Sequence, residues 1–418
     1  MLPAPEGQAR QLAHISPMLF ASLLRRLVRF GRLTVIDPGG RVHRIKGTDG
    51  PSAVIRLHDS SVGWAFVLNP ALALGEAYMA GRLTIEEGTL FDFLTILIVS
   101  RREALLGRST GLAACGRKLL GRFWTYNPVG RARRRVSHHY DLAPGLFDLF
   151  LDSDRQYSCA YFALEGDDLE TAQRRKKAHL AAKLLLRSGD RVLDIGSGWG
   201  GLGLYLADCA AVDVTGVTLS REQHELSNAR AVSGGLSERV RFRLRDYREE
   251  EGCYERIVSV GMLEHVGLGH YREFFGKVRE LLTDDGVALV HTIGRYDTPG
   301  PVNPWILRYI FPGAYVPTLS ELMPAIEEQH LLVTDIEVLK RHYAKTLRAW
   351  RTRFVSNWDR ARSMYDERFC RMWEFYLTAC EVGFLSKELN VFQIQLAKDP
   401  GAVPETRDYI HEFEEAWQ

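Results

Sequence analysis

The sequence predicts an α/β protein, with a doubly wound parallel sheet preceded by a small α+β unit. Two observations carry this expectation. From about residue 175, short apolar segments alternate with helix-like ones, the pattern of parallel strands joined by crossover helices. The first of those segments runs directly into a glycine-rich turn, "VLDIGSGWGG".

The N-terminal elements come first. Residues 12–31 read as an amphipathic helix, with Leu19, Leu23, Leu24, Leu27 and Val28 on one face and Arg25, Arg26 and Arg29 on the other; Gly31 is expected to end it. "RLTVIDPGGRVHRI" reads as a hairpin around Pro-Gly-Gly, and "SAVIRLHD" and "GWAFVL" read as further strands. "NPALALGEAYMAGRLTIEEGTLFDFLTIL" reads as helical in pieces. In the second part "RVLDIG", "VTGVTLS", "VRFRLRDY", "RIVSVGML" and "GVALVHTIG" are five strands, with helices over 200–209, 221–233 and 271–282 between them. "LVTDIEVL" and "LNVFQIQLAK" add two strands, separated by helical, Trp-rich sequence over 345–385. A domain boundary is expected near 125, dividing 1–125 from 126–418.

Composition limits the function classes. The chain has 418 residues and a formal net charge of +2, so nothing marks it as a nucleic-acid binder. Its charge is uneven: Arg117, Lys118, Arg122, Arg131, Arg133, Arg134 and Arg135 crowd one stretch. Such a run is either a solvated linker or a contact for an anionic membrane surface. The six cysteines form no CxxC pair and no Cys/His ligand spacing, so no metal is expected. His138 and His139 are adjacent and do not make a metal pair. The longest apolar run, "LFDFLTILIVS", contains Asp92 and is too short to span a bilayer. With no signal-peptide pattern, the expectation is a cytoplasmic protein that visits the inner face of the membrane.

The glycine turn carries the cofactor argument. Gly196, Gly198 and Gly201 satisfy G-x-G-x-x-G, which suits a dinucleotide as well as S-adenosylmethionine. A dinucleotide site wants an acid at the end of the second strand to hold the ribose. That strand ends "GVTLS" instead. Asp194 precedes the first glycine by two residues, and the resulting D-x-G-x-G resembles the first motif of the class I S-adenosylmethionine-dependent methyltransferases. That class has a Rossmann-like, seven-stranded, doubly wound sheet. Asp194 could support the turn and accept from the ammonium of the methionine part. Asp246 and Tyr247, in "RDYRE", would lie beside the adenine.

Further along, "HHYDLAPGLFDLFLDSDRQYSCAYF", "GVTLSREQ", "SVGMLEHVG", "VHTIG", "HYAKTLRAW" and "FYLTACEVGF" occur in order with the glycine turn. Together these motifs resemble the cyclopropane-fatty-acyl-phospholipid synthases, in the longer bacterial form with an N-terminal domain. The resemblance implies transfer of a methylene group from S-adenosylmethionine to the cis double bond of an unsaturated phospholipid acyl chain. An alkene is a weak nucleophile, so it must be aligned with the methyl in a dry cleft. The resulting carbocation loses a proton from the added methyl to a bound bicarbonate, and the ring closes. By position, the resemblance assigns Cys159, Glu264, His291, Tyr343 and the main chain of Ile293 to the bicarbonate, and Cys380 to the pocket lining. It assigns Tyr140 and Ser158 to the methionine part, Gly196, Gly198 and Trp199 to the turn, and Thr218, Leu219 and Gln223 to the ribose. His265 stays open. One departure is "YDLAPGLF": the family's polar residues after "YDL" are replaced by Ala143, Pro144 and Gly145 in the expected lid. The resemblance also brings the expectation of a homodimer.

Three other readings remain. The same first step followed by a hydride shift gives a methylene- or methyl-branched chain. A small-molecule O- or N-methyltransferase would share the glycine turn. A non-catalytic lipid-binding protein would share the fold. For Cys159 itself the sequence offers a nucleophile, a metal ligand or a pocket wall. A nucleophile beside a sulfonium and a carbocation would be alkylated, which favours a place in the anion cradle.

Overall fold

The computed structural model describes residues 22–106, 144–296 and 298–416. Tyr140, Ala143 and the basic stretch 117–135 lie outside the described residues, as does the boundary near 125. The chain forms two compact units.

The first unit contains a four-stranded sheet of β1 (Phe30–Ile36), β2 (Val42–Lys46), β3 (Thr48–Leu57) and β4 (Leu83–Glu87), in the order β2-β1-β3-β4. The Pro-Gly-Gly hairpin forms as expected, pairing β1 with β2 antiparallel. The N-terminal helix ends earlier than expected. Residues 22–27 are helical, with Leu24 buried and Arg25 and Arg26 exposed, but Phe30 and Gly31 already belong to β1.

"GWAFVL" is not a strand. It lies in α1 (Ser61–Leu68), followed by α2 (Pro70–Met79). Val62 and Phe66 are buried four residues apart, which is helical and not alternating spacing. The Asp59 carboxylate accepts from the Ser61 N–H at 2.8 Å and secures the first turn. β4 was hidden within the stretch read as helical, because only Leu83 of its five residues is fully buried.

α3 (Leu90–Leu106) covers this sheet, with Phe93 and Ile96 in its core. Residues 303–310 and 354–386 complete the unit. The Trp305 ring lies against Gly75, where a Cβ would come within 2.4 Å of it. Tyr78 donates to Glu374 at 2.5 Å and Tyr309 to Glu76 at 2.7 Å.

The second unit is built on seven strands: β5 (Arg191–Ile195), β6 (Asp213–Thr218), β7 (Val240–Leu244), β8 (Tyr254–Val260), β9 (Leu282–Arg295), β10 (Leu332–Val338) and β11 (Leu389–Ala397). Their order is β10-β11-β9-β8-β5-β6-β7. All seven expected strands are present. β11 runs antiparallel to β9 and β10, while β5 pairs in parallel with both β6 and β8. The helices are α4 (Leu169–Leu184), α5 (Gly201–Ala210), α6 (Arg221–Ser233), the short α7 (Leu263–Val266), α8 (Tyr271–Leu281), α9 (Leu319–Glu327), α10 (His342–Ser356) and α11 (Asp408–Ala416).

One apolar layer sets α8 and α9 against the sheet through Phe274, Phe275, Leu322 and Ile326. The other sets α4 and α5 against the opposite face through Leu180, Leu184, Leu206 and Ala207. The chain leaves β5 for β6 on one side and returns to β8 on the other. Ligands of such sheets bind at that switch point, beyond the C-terminal strand ends.

Candidate active site

An open cavity of about 1310 Å3 lies at this switch point. Ser158, Asp194, Gly196, Gly198, Trp199, Thr218, Leu219, Gln223, Asp246 and Tyr247 all line it. Every described residue that the sequence reading gave to the cofactor is therefore in one place.

Local chemistry sets the turn. Gly196 has φ +82°, a left-handed conformation that costs an L side chain strain, and a Cβ there would lie 2.9 Å from Met262 Cγ. The N–H groups of Gly196 and Ser197 both donate to Val217 O at 3.0 Å, tying the turn to β6. At the third glycine, Gly201, a Cβ would meet Gln156 Nε2 at 2.4 Å, so the glycine admits the 152–158 segment to the start of α5. Trp199 is buried and its ring packs on Phe147 at 4.8 Å, in the 3-10 turn Pro144–Leu149 that follows the altered "YDL" motif. Thr218 donates to Gln223 Oε1 at 2.8 Å, which leaves the Gln223 amide hydrogens for a ligand.

Asp246, expected beside the adenine, lines the cavity with its carboxylate already engaged. It holds Arg248 in a fork, at 2.9 Å to Nε and 2.8 Å to the terminal nitrogen. Its carboxylate thus fixes Arg248 and the backbone of the turn that presents Tyr247. The Tyr247 ring stands edge-on to Phe274 at 5.4 Å.

Asp194 is the most unusual of these groups. It is 2 % exposed, and its Oδ2 has no hydrogen-bond partner among the described residues. Burial pushes its carboxyl up to about 7, opposed by the charge of Lys176. An ammonium group would supply the missing partner. Below about 7 the carboxyl is protonated and cannot pair with an ammonium; above it the charge is present. Ammonium binding lowers the carboxyl pKa and releases a proton, so affinity rises with pH up to that value and then levels. Calorimetry with S-adenosylhomocysteine should show tightening between about pH 5 and 7 and levelling above that. The Asp194→Asn variant should bind more weakly and lose that slope.

The second set of residues lies beside this cavity. Glu264, on α7, is buried; its Oε1 accepts from the Ile293 N–H at 2.6 Å, and its Oε2 has no partner among the described residues. Burial lifts its carboxyl to about 7 against the opposing Ile293 N–H. His291 precedes Ile293 by two residues on β9, so both point to one face. Burial first, then Lys176 and Lys183, pushes it down to about 3, so it is neutral. The amide nitrogen of Gln393 lies 3.3 Å from its Nδ1, which leaves the proton on Nε2 as a donor.

Cys159 is fully buried; its thiol contacts Ala160 O at 3.4 Å and burial raises its pKa, so it stays protonated. This is not the setting of a nucleophile. Tyr343 opens α10 and stands edge-on to Trp350 at 5.9 Å. Cys380 falls on the helix Glu367–Leu385 of the first unit. His265 lines the cofactor cavity, its ring 5.8 Å from Phe311.

Two helices hold the "QYSCAYF" segment: α4, which sequence reasoning missed, and α10, most of which falls in the helical stretch expected over 345–385. From α4, Gln173 donates to the carbonyls of Gln156 at 3.1 Å and Ser158 at 3.0 Å. Also from α4, Lys176 donates to Ser158 Oγ at 3.0 Å. From α10, Thr346 accepts from Ala160 N at 3.0 Å and His342 Nδ1 accepts from Phe162 N at 3.0 Å. The Tyr161 ring is stacked between His179 and His342, at 4.2 and 4.8 Å. The segment carrying Ser158 and Cys159 is thus fixed on both sides without being a strand. A readable signal did exist: Gln173, Lys176 and Lys183 recur at helical spacing on a face that also carries Leu180.

Comparison with known proteins agrees with this geometry. Residues 129–394 match the mycolic acid cyclopropane synthetase family. The cyclopropane-fatty-acyl-phospholipid synthase of Escherichia coli (strain K12) is 37% identical over 331 residues, covering 78% of this chain and 83% of that one. The tuberculostearic acid methyltransferase UfaA1 of Mycobacterium tuberculosis (strain ATCC 25618 / H37Rv) is 34% identical over 402 residues, 93% of each chain. Among solved structures, mycolic acid cyclopropane synthase CmaA1 complexed with SAH and CTAB superposes with a TM-score of 0.61 at 31% identity, covering 65% of this chain and 99% of that one. With the glycine turn, the seven-stranded order and these matches in agreement, this chain belongs to the mycolic acid cyclopropane synthetase family of S-adenosylmethionine-dependent methyltransferases.

Proposed function

We propose that this protein is a cyclopropane-fatty-acyl-phospholipid synthase, acting on the cis double bond of acyl chains within intact phospholipids. The observation that carries the reading is the pairing of a cofactor cavity lined by Asp194 with a second buried set built from Glu264, Ile293 and His291. When bound, S-adenosylmethionine supplies the electrophilic methyl carbon. Asp194 would take its ammonium, Gln223 its ribose and Tyr247 its adenine.

The second set fits a small oxyanion such as bicarbonate. Glu264 Oε2 has no partner among the described residues, and neutral His291 offers a donor. Bicarbonate would supply a mild base for the proton lost from the added methyl group. Glu264, His291, Tyr343, Cys159 and the Ile293 main chain would hold it, and Glu264, held near neutrality, can share its proton. Cys159 contributes mainly position, so Cys159→Ser should keep at least about a tenth of the activity. Trapping of an acyl adduct on the wild-type cysteine by mass spectrometry would contradict that.

Exposed Arg25, Arg26 and Arg29 support membrane docking by the first unit, and no helix of the described residues is long and apolar enough to cross a bilayer. The reading places the protein at the cytoplasmic face of the membrane, and the family resemblance extends it to a homodimer. The test is incubation with methyl-labelled S-adenosylmethionine and either unsaturated phospholipid vesicles or soluble amine and phenol acceptors. Label should enter the vesicle lipid; preferential labelling of a soluble acceptor would sink the reading.

A second reading keeps the same first step and ends in a methyl-branched chain. It is favoured by the match to the tuberculostearic acid methyltransferase, which extends over 93% of both chains, whereas the cyclopropane synthase match covers 78% of this one.

A further inference from the structure

Lys176 is the least expected group near the cavity. It is fully buried, on the face of α4 that meets the "QYSCAYF" segment. A buried ammonium is costly unless its charge and its donors are satisfied. Two of its three donors are used, by Gln156 Oε1 at 2.5 Å and Ser158 Oγ at 3.0 Å. Both acceptors are neutral, and both residues line the cofactor cavity. The nearby carboxylates act on it only through space. Asp154 is taken by Lys177 at 2.5 Å and by Arg230, and Asp152 accepts from the Gln156 N–H at 2.9 Å. Burial lowers the Lys176 ammonium to about 8, so it remains mainly charged at neutral pH. A cation therefore sits behind the cavity wall without a direct anionic partner among the described residues.

The direction of its bonds matters. Lys176 donates to Ser158 Oγ, so that oxygen accepts from behind and the hydroxyl hydrogen is free to turn toward the cavity. The Ser158 carbonyl is meanwhile held by Gln173, so the residue cannot swing away. A hydroxyl that accepts from an ammonium is polarised, and its own donation to an anion is strengthened. Asp194, whose Oδ2 has no partner among the described residues, lines the same cavity and is sensed by Lys176 electrostatically. The cavity thus offers an acceptor for an ammonium and a cation-backed donor for a carboxylate, which together match the two ends of an α-amino acid.

We infer that Lys176 is a positioning residue for the cofactor: through Ser158 it holds the amino-acid carboxylate of S-adenosylmethionine, while Asp194 holds the ammonium. This rests on the cofactor reading given above, and it adds the residue that selects the cofactor's amino-acid portion. The proposal concerns binding and orientation; Lys176 takes no part in bond making.

The test compares two ligands that differ only in that portion. S-adenosylhomocysteine carries the amino-acid group, and 5′-methylthioadenosine lacks it. Calorimetry on the full chain should give Lys176→Met a loss of about 10- to 100-fold in S-adenosylhomocysteine affinity, the range of a charge-assisted hydrogen bond. Affinity for 5′-methylthioadenosine should stay within about twofold. Ser158→Ala should act in the same direction, and the double variant should lose little more than either single one, because the lysine works through the serine. Lys176→Arg should recover part of the selectivity. Equal weakening of both ligands, or full additivity of the two substitutions, would overturn the inference. If Lys176→Met does not fold, the same ligand ratio measured on Lys176→Arg and Ser158→Ala decides the matter: an unchanged ratio in both overturns it. Wild-type protein that bound neither ligand would instead reject the cofactor reading itself.

Discussion

Replacing Glu264 with alanine is expected to lower kcat by about 100- to 10,000-fold, the range for loss of a positioned proton-transfer group. The buried carboxylate accepts from the Ile293 N–H through Oε1, and its Oε2 has no partner among the described residues. Alanine removes both functions and leaves a buried N–H unsatisfied. Affinity for S-adenosylhomocysteine should be nearly unchanged, because Glu264 does not line the cofactor cavity. Glu264→Gln separates geometry from charge. Its amide oxygen can still accept from Ile293, but it can no longer share a proton with an anion. If Glu264→Gln keeps wild-type kcat, Glu264 is a structural brace and its assignment to the base site is wrong. Single-turnover lipid methylation, set against a thermal melt of each variant, distinguishes these outcomes.

The second large effect is expected at Gly196. Valine there must adopt φ +82° and place its Cβ 2.9 Å from Met262 Cγ. Backbone strain of this kind costs about 1–3 kcal/mol, and the clash adds to it. Affinity for S-adenosylhomocysteine should fall at least about 100-fold. Gly198 is the internal control. Its φ is +55°, but a Cβ there would meet nothing within 4 Å, so Gly198→Ala should cost far less. Met262→Ala, combined with Gly196→Val, should return part of the affinity by removing the clash. Equal losses for the Gly196 and Gly198 variants would show that backbone freedom alone governs the turn.

The sheet of the second unit was legible because its strands are continuous apolar runs. "VLDI" and "ALV" are buried on both faces, as parallel strands must be. The first unit was harder to read. "GWAFVL" has the composition of a strand, yet burial at Val62 and Phe66 follows a helix, and the deciding cue was Asp59, whose carboxylate accepts from the first N–H of that helix. β4 had almost no apolar alternation to reveal it.

The cofactor residues were legible because they sit at strand ends and in the glycine turn, where spacing along the chain dictates position in space. Even so, the ion pair that commits Asp246 to Arg248 was not foreseen. Contacts made between distant segments left no mark in either motif. Gln173 and Lys176 on α4 and His342 and Thr346 on α10 reach the "QYSCAYF" segment only after folding. Their helical spacing could be read, but polar residues on a helix default to a solvated face. On α4 the buried residues include Gln173, Lys176 and Lys183 beside Leu180 and Leu184.

That segment also determines what Cys159 can be. A buried, protonated thiol, in a segment held by two helices, does not have the setting of a nucleophile.

The measurement that bears most directly on the function is NMR of the acyl chains after reaction with S-adenosylmethionine and vesicles of a defined cis-unsaturated phospholipid. Ring closure predicts high-field cyclopropane proton signals, with the transferred carbon as the ring methylene. Exomethylene signals, or a methyl signal on a chain that keeps a carbon–carbon double bond, would contradict ring closure and assign the protein to the branching members of its family.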